Sequence, residues 1–226
     1  MKLGVLFSGG KDSCFALYRA MQKEDVTCLI SISSKNPESY MFHTPNIHLT
    51  RLQADAISLP LVTFETEGEK EKELFDLKKA IEKAMREYKI EGVVSGAVLS
   101  VYQSTRIQKI CNDLGLWCFN PLWQSDEVEY MKEFISLGFK AVISGVFAYP
   151  FDETWLGRNI DKRTLNELII LNKKFRISPI GEGGEFETFV CDGPIFAKKV
   201  KIVKAFKKYK NYSGIYAIEK AMLVKK

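Results

Sequence analysis

The feature that most restricts this chain is a glycine pair between an apolar run and an amphipathic one, LFSGGKDSCFALYRAM at residues 6–21. Residues 3–7 read as a buried strand, and Cys14, Leu17, Tyr18 and Met21 fall on one helical face. A strand that passes through two glycines straight into a helix leaves the first helical N–H groups without intrahelical partners. Those groups and the positive end of the helix dipole together attract an anion. The residues of the turn, Ser8, Gly9, Gly10, Lys11, Asp12 and Ser13, add close backbone approach, two hydroxyls and an ammonium. Asp12 suits the helix N-terminus as a carboxylate or serves as an indirect magnesium ligand. The set describes a phosphate cradle.

Counting along the loop excludes the commonest cradles. A Walker A loop needs G-x-x-x-x-G-K-[ST]. Gly4 and Gly9 have the glycine spacing, but Gly10 occupies the lysine position and Asp12, not a hydroxyl, follows Lys11. The dinucleotide pattern G-x-G-x-x-G is not met either.

Beyond the loop, strand and helix patterns alternate. Strands are expected at residues 26–32, 59–63, 92–97 and 116–119, with a long polar connection after the first of these. Helical stripes are formed by Leu74, Leu77, Ile81, Met85 and Tyr88, and again by Ile107, Ile110, Cys111 and Leu114, the latter ended by Gly115. Such alternation predicts an α/β fold with a doubly wound parallel sheet over residues 1–120. Asn120-Pro121 reads as the hinge to a smaller α+β domain over residues 121–226. There Ser125 is expected to cap a helix bearing Val128, Met131 and Ile135. A strand at 141–146, a helix at 165–171 and β-like runs at 186–190, 200–206 and 215–223 follow.

Composition removes several classes. With 226 residues, 27% charged and 46% hydrophobic, the chain can bury a real core, and no apolar run approaches a membrane span. The five-residue apolar run at the start is too short for a signal peptide, so the chain reads as cytoplasmic. Five scattered cysteines without C-x-x-C, and two histidines, do not support a zinc or thioredoxin-like site. Residues 198–226 carry ten lysines against one acid, Glu219. That pattern suits a solvated pair of strands with a lysine-bearing outer face, with partner docking as the minority reading and nucleic acid disfavoured.

A second motif, Gly181-Glu182-Gly183-Gly184-Glu185-Phe186-Glu187-Thr188, suits neither a buried strand nor a stable helix. Composition alone leaves an exposed acidic turn and a ligand loop equally open. On an extended segment Glu185 and Glu187 would share one face.

S-G-G-K-D-S after an N-terminal strand resembles the pyrophosphate (PP) loop of the N-type ATP pyrophosphatases. Combined with E-G-G-E-F-E-T, it is similar to the diphthine–ammonia ligase family in its compact form. The likeness extends through Ser39-Tyr40-Met41-Phe42-His43, Gly96-Ala97-Val98-Leu99-Ser100, Tyr102-Gln103, Arg106, Pro121-Leu122-Trp123 and Trp155-Leu156-Gly157-Arg158. Ser104 departs from it, standing where a second arginine is expected.

The resemblance implies an adenine nucleotide alpha hydrolase-like fold, ATP with Mg2+, and amidation of diphthine on elongation factor 2 by ammonium. Activation would proceed through an adenylated carboxylate with release of AMP and pyrophosphate. Nucleotide is expected at residues 8–13. If strand one lies beside strand four, Ser95, Gly96 and Ala97 line its cleft at the switch point, and residues 31–33, with Ser31 and Ser33, could meet adenine through backbone groups. Substrate contact falls to Tyr40, His43, Gln103, Arg106, Trp155, Arg158, Glu182, Gly183 and Gly184, and catalysis to Lys11, Glu185 and Glu187.

For the two catalytic glutamates, holding magnesium, contacting a trimethylammonium group and deprotonating ammonium all stay open. Arg106 and Arg158 could bind phosphate or carboxylate, or form surface ion pairs. Tyr40 and Trp155 could stack on a ligand or simply pack. No membrane partner is expected, and a homodimer is compatible with the chain. A transfer-RNA-modifying enzyme with the same loop, and a non-catalytic ATP-binding protein, are the competing readings.

Overall fold

A computed structural model describes residues 1–36, 45–69 and 71–226. Tyr40 and His43 lie outside the described residues.

Five parallel strands form the first sheet: β1 (Lys2–Leu6), β2 (Asp25–Ser34), β3 (Leu61–Thr66), β4 (Gly92–Val94) and β5 (Trp117–Phe119). Their order is β3-β2-β1-β4-β5. The order reverses between β1 and β4, which pair directly, Val5 opposite Val94. In open α/β sheets a ligand crevice forms at the carboxyl ends of strands at such a reversal. The glycine loop and Ser95-Gly96-Ala97 leave the sheet at that point.

The helices are α1 (Lys11–Met21), α2 (Thr50–Ile57), α3 (Lys72–Tyr88), α4 (Val101–Asp113), α5 (Glu127–Ser136) and α6 (Lys162–Phe175). α2 arises in the segment read as a polar connection. Side chains cap α4, α5 and α6: Ser100 accepts from Gln103 N, Asp126 from Val128 and Glu129 N, and Asp161 from Thr164 N. Asp126 therefore takes the capping place expected of Ser125, because the helix begins at Glu127 and Asp126 Oδ1 accepts from both Val128 N and Glu129 N. α1 differs. Its N-cap is Gly10, with no side-chain cap; Thr188 takes the Lys11 N–H, and those of Asp12 and Ser13 stay available to a ligand.

The second sheet is antiparallel, in the order β7-β6-β9-β8. Its strands are β6 (Lys140–Val146), β7 (Phe186–Asp192), β8 (Lys198–Lys210) and β9 (Ser213–Lys225). β8 and β9 form a long hairpin whose lysines are exposed, as the lysine pattern suggests.

Aromatic packing binds the two sheets into one molecule. Phe15 of α1 meets Tyr130 and Phe134 of α5 edge-on, at 5.1 and 6.0 Å between ring centroids. Phe134 stacks on Phe139 at 4.6 Å. All four rings are buried, and each contributes about 2–3 kcal/mol by leaving water. A second cluster, built on Leu77, Ile81, Ile107 and Ile110, joins α3 and α4 to the opposite face of the first sheet. Among the described residues no helix is long and apolar enough to cross a membrane.

The five cysteines are free. Although distant from one another in the motif sense, Cys111 and Cys118 meet where α4 packs on β5. Cys111 donates to Cys118, which lowers the Cys118 thiol and raises that of Cys111.

Candidate functional site: a phosphate cleft between two sheets

A cavity of about 430 Å³ opens at the β1/β4 reversal. One wall is the glycine loop and α1 N-terminus, through Ser8, Asp12 and Ser13. A second is Ser95, Gly96 and Ala97, with Ser100 and Gln103 of α4. The third comes from the other sheet: Gly181, Glu182, Gly183, Gly184 and Glu187. The floor is apolar, made by Leu6, Ile30, Ile32, Leu77 and Ile107. A polar, N–H-rich end and an apolar end in one cleft match a phosphate group joined to a flat base.

The glycine loop is shaped by contacts from both halves of the chain. Gly9 sits at φ +78°, and its carbonyl accepts from Val190 N at 3.0 Å and Gln53 Nε2 at 2.9 Å. Gln53 Nε2 also donates to the Val190 carbonyl at 2.8 Å, and the residue is fully buried. Lys11 N donates to Thr188 Oγ1 at 3.0 Å. The loop is thus tied to β7, the strand that carries Glu187. Gly96 is required for a separate reason: a Cβ there would come within 2.9–3.1 Å of the backbone of Asp12 and Ser13.

These contacts make Gly9→Ala a severe change. The new Cβ would fall 2.0 Å from Gln53 Oε1 and force a left-handed φ on a residue with a side chain. Backbone strain of this kind costs about 1–3 kcal/mol before the clash is counted. A loss of at least about 2 kcal/mol is expected by urea denaturation; an unchanged midpoint would show that the turn is more yielding than its bonds indicate.

Lys11 is buried, and its Nζ donates to both Asp12 oxygens at 2.9 Å. Tyr130 Oη, from α5, donates to Asp12 Oδ1 at 2.7 Å. The ammonium also lies near the Phe186 and Tyr130 rings, 5.7 and 5.9 Å from their centroids. It stands behind Asp12 and not on the cavity wall. Burial and the Asp12 carboxylate push the Tyr130 hydroxyl well above its ordinary range, so it stays a donor.

The two glutamates expected to share a role are separated. Glu187 faces the cavity, where burial pushes its carboxyl up to about 7; Lys11 opposes that rise and Asp12 adds to it. Glu185 lies behind the glycine turn. Its Oε1 accepts from Ser178 N at 2.9 Å, and its carboxyl sits 3.0 Å from where a Gly183 Cβ would be. Ser178 in turn donates to Glu127. The glycine turn breaks the expected strand alternation: β7 begins only at Phe186, so Glu185 is outside the pleat that orients Glu187. Glu182 lines the cavity and accepts from Leu99 N at 3.0 Å, closing the cleft across to α4; burial raises its carboxyl.

Several other expected residues fall away from the cavity wall. Strand alternation turns Ile30 and Ile32 toward it and Ser31 and Ser33 to the opposite face. Ser31 is buried and donates to Thr50 Oγ1. Arg106 is held by Glu71 at 2.8 Å and lies over the Tyr102 ring at 3.4 Å. Arg158 pairs through both terminal nitrogens with Glu167, and its guanidinium covers Trp155. Trp155 itself is buried, edge-on to Phe151 at 4.9 Å. These residues take the packing and ion-pair roles because neighbouring carboxylates and rings satisfy them locally. Gln103, Gly183 and Gly184 line the cavity.

Sequence reasoning missed Gln53, Thr188 and Tyr130. Tyr130 and Phe134 are four residues apart on a helix, a spacing that marks a shared face and was visible. Nothing in the sequence distinguishes Gln53 from an exposed glutamine.

The fold and cleft together define an α/β protein of doubly wound type, with a glycine loop outside the Walker A pattern at its switch-point cavity. The family model described as the diphthamide synthase N-terminal domain matches residues 1–118, and that of the diphthamide synthase C-terminal domain matches residues 126–224. This chain belongs to the diphthamide synthase family. Two relatives named diphthine–ammonia ligase, from Homo sapiens and Rattus norvegicus, are 32% and 33% identical to it. The alignments cover 88% and 89% of this chain and 82% and 83% of the relatives. Membership makes the chain an ATP-dependent ligase. A solved structure titled as a subunit of a tRNA methyltransferase from Methanocaldococcus jannaschii is a more distant likeness. It has 18% identity and a TM-score of 0.44, and the alignment covers 84% of this chain and 96% of that one.

Proposed function

We propose that the chain amidates diphthine on elongation factor 2 with ammonium and ATP, in the cytoplasm. The observation that carries this reading is the joining of the glycine loop to β7. Thr188 and Val190 hold the loop while Glu187, on the same strand, faces the cavity. Phosphate binding and carboxyl chemistry thereby share one rigid piece of structure.

The β,γ-phosphates of ATP rest on the α1 N-terminus between Ser8 and Ser13, and the base lies on Ile30, Ile32 and Ile107. Magnesium suits the donors present. Asp12 on the α1 wall and Glu182 on the glutamate-turn wall are the carboxylates that would hold it, since the ion is usually bound through one or two carboxylates together with substrate phosphates. An oxygen of the diphthine carboxylate attacks the α-phosphorus, the α–β bond breaks and pyrophosphate leaves. Lys11, behind Asp12, acts through it: the ammonium neutralises the Asp12 carboxylate, so the charge that develops on the departing oxygens is not repelled. Ammonium then loses a proton, ammonia attacks the acyl carbon, AMP leaves with the electron pair of the broken C–O bond, and the attacking nitrogen releases its second proton to water to give the neutral amide. Glu187 takes the first proton, since a carboxylate with a raised pKa is a stronger base than an ordinary one. Glu185 positions the glycine turn.

Mass analysis of elongation factor 2 bearing diphthine, after incubation with the chain, ATP and ammonium, tests the reading. Conversion to the amide with one AMP and one pyrophosphate per event is expected. Formation of ADP and phosphate, or turnover that requires RNA instead of the factor, would replace it.

A further inference from the structure

At the end of the second sheet nearest the glutamate turn, exposed aromatic rings gather. Tyr149 packs edge-on against Phe175 and Tyr212, at 5.3 and 5.0 Å between centroids. Their exposures are 56%, 42% and 47%. The rings come from three separate places: the segment after β6, the last residue of α6, and the β8–β9 turn. Convergence of three elements to expose rings, where burial was available in the core, needs a reason. Lys173, Lys174, Arg176 and Lys210 flank them in sequence, all exposed and none with a carboxylate partner among the described residues.

This patch is tied to the cleft through the end of β6. Phe147 N donates to the Glu185 carbonyl at 2.9 Å. Val146 pairs with Phe186 on one side and with Gly214, at the start of β9, on the other. The strand end that leads to the patch is therefore bonded to the turn that lines the cavity.

We infer that the Tyr149–Phe175–Tyr212 patch is the surface on which the protein substrate docks, with an acidic rim of that substrate facing Lys173, Lys174, Arg176 and Lys210. The inference rests on the amidation reading, which requires a protein to bring its modified side chain to the cleft. An aromatic centre within a charged rim is the anatomy of a protein interface, and such rings carry most of the binding energy. Single-stranded nucleic acid instead needs open, successive ring faces on which bases stack. Here the rings stand at 88° and 83° to one another and use their faces and edges on each other. Charge complementarity and ring geometry together favour an acidic protein surface.

Two variants test this without touching the cleft. Tyr212 has φ 62°, a conformation asparagine adopts readily, so Tyr212→Asn removes the ring and keeps the turn. The second variant combines Lys173→Glu with Lys174→Glu. Affinity for labelled elongation factor 2 bearing diphthine is measured alongside affinity for ATP and amide formation. Each variant is expected to bind the factor about tenfold more weakly or worse, with ATP affinity and kcat at saturating factor unchanged. Loss of salt dependence should accompany the lysine variant. Unchanged factor affinity in both variants would overturn the inference, as would a wild-type chain that does not bind the factor. Loss of single-stranded RNA binding with factor affinity intact would assign the patch to nucleic acid. A wild-type chain that binds the factor through these residues but forms no amide would sink the amidation reading and leave the docking surface standing.

Discussion

Replacing Lys11 by methionine is expected to slow pyrophosphate release by about a hundredfold to a thousandfold while leaving the chain folded. The lysine stem is buried between the Tyr130 and Phe186 rings, and methionine fills most of that volume without the charge. Asp12 keeps its bond from Tyr130 and is partly open to solvent, so it tolerates the loss. Without the ammonium, the Asp12 carboxylate on the cavity wall is no longer neutralised and repels the charge that develops on the leaving pyrophosphate. The missing ammonium is also felt at Glu187, whose charged form Lys11 favours. The rising limb of amide formation against pH should therefore move to higher pH in the variant. Pyrophosphate release within tenfold of wild type would remove Lys11 from the chemistry.

Glu187→Gln should separate the two halves of the reaction. Amide formation is expected to fall by about 10²–10⁴, the usual worth of a positioned base. Exchange of labelled pyrophosphate into ATP, in the presence of the factor, should persist because adenylation does not use this carboxylate. Wild-type amide formation should rise as pH passes through about 7, where Glu187 loses its proton, and the variant should lack that limb. Equal loss of exchange and amide formation would show that Glu187 serves ATP binding instead.

The same residue has a consequence for stability. In the folded chain its carboxyl holds a proton up to about 7, against 4.5 ordinarily. Between those values the folded chain binds more protons than the unfolded one, so stability falls as pH rises, then levels off above about 7. Glutamine carries no such charge. The variant should gain roughly 1–3 kcal/mol over wild type at pH 8 and nothing at pH 4, a smaller gain than full burial would yield because the carboxyl borders the cavity. Denaturant melts at the two pH values check the sign.

Much of the fold was legible because it depends on local pattern. Strand and helix alternation before residue 120, the turn through Gly9 and Gly10, and the lysine-bearing β8–β9 hairpin all follow from periodicity and residue type. α2 was not legible, since eight residues with a short apolar stripe do not stand out from a polar connection. The departures at the site have one cause. Arg106, Arg158 and Trp155 carry chemistry-bearing groups, yet Glu71, Glu167 and Phe151 engage them, and those partners lie 4 to 35 residues away in the chain.

By itself, then, the sequence determined a strand-to-helix glycine turn with the make-up of a phosphate cradle and without a Walker A lysine. The reason is that N–H groups, glycine φ and residue type over six positions are local quantities. Only the tertiary structure decided that β7 grips that turn, that Lys11 lies behind Asp12 under Tyr130, and that Glu187 and not Glu185 faces the cleft. Each of those outcomes is set by burial and by bonds between distant segments, quantities that exist only once the two sheets have packed together.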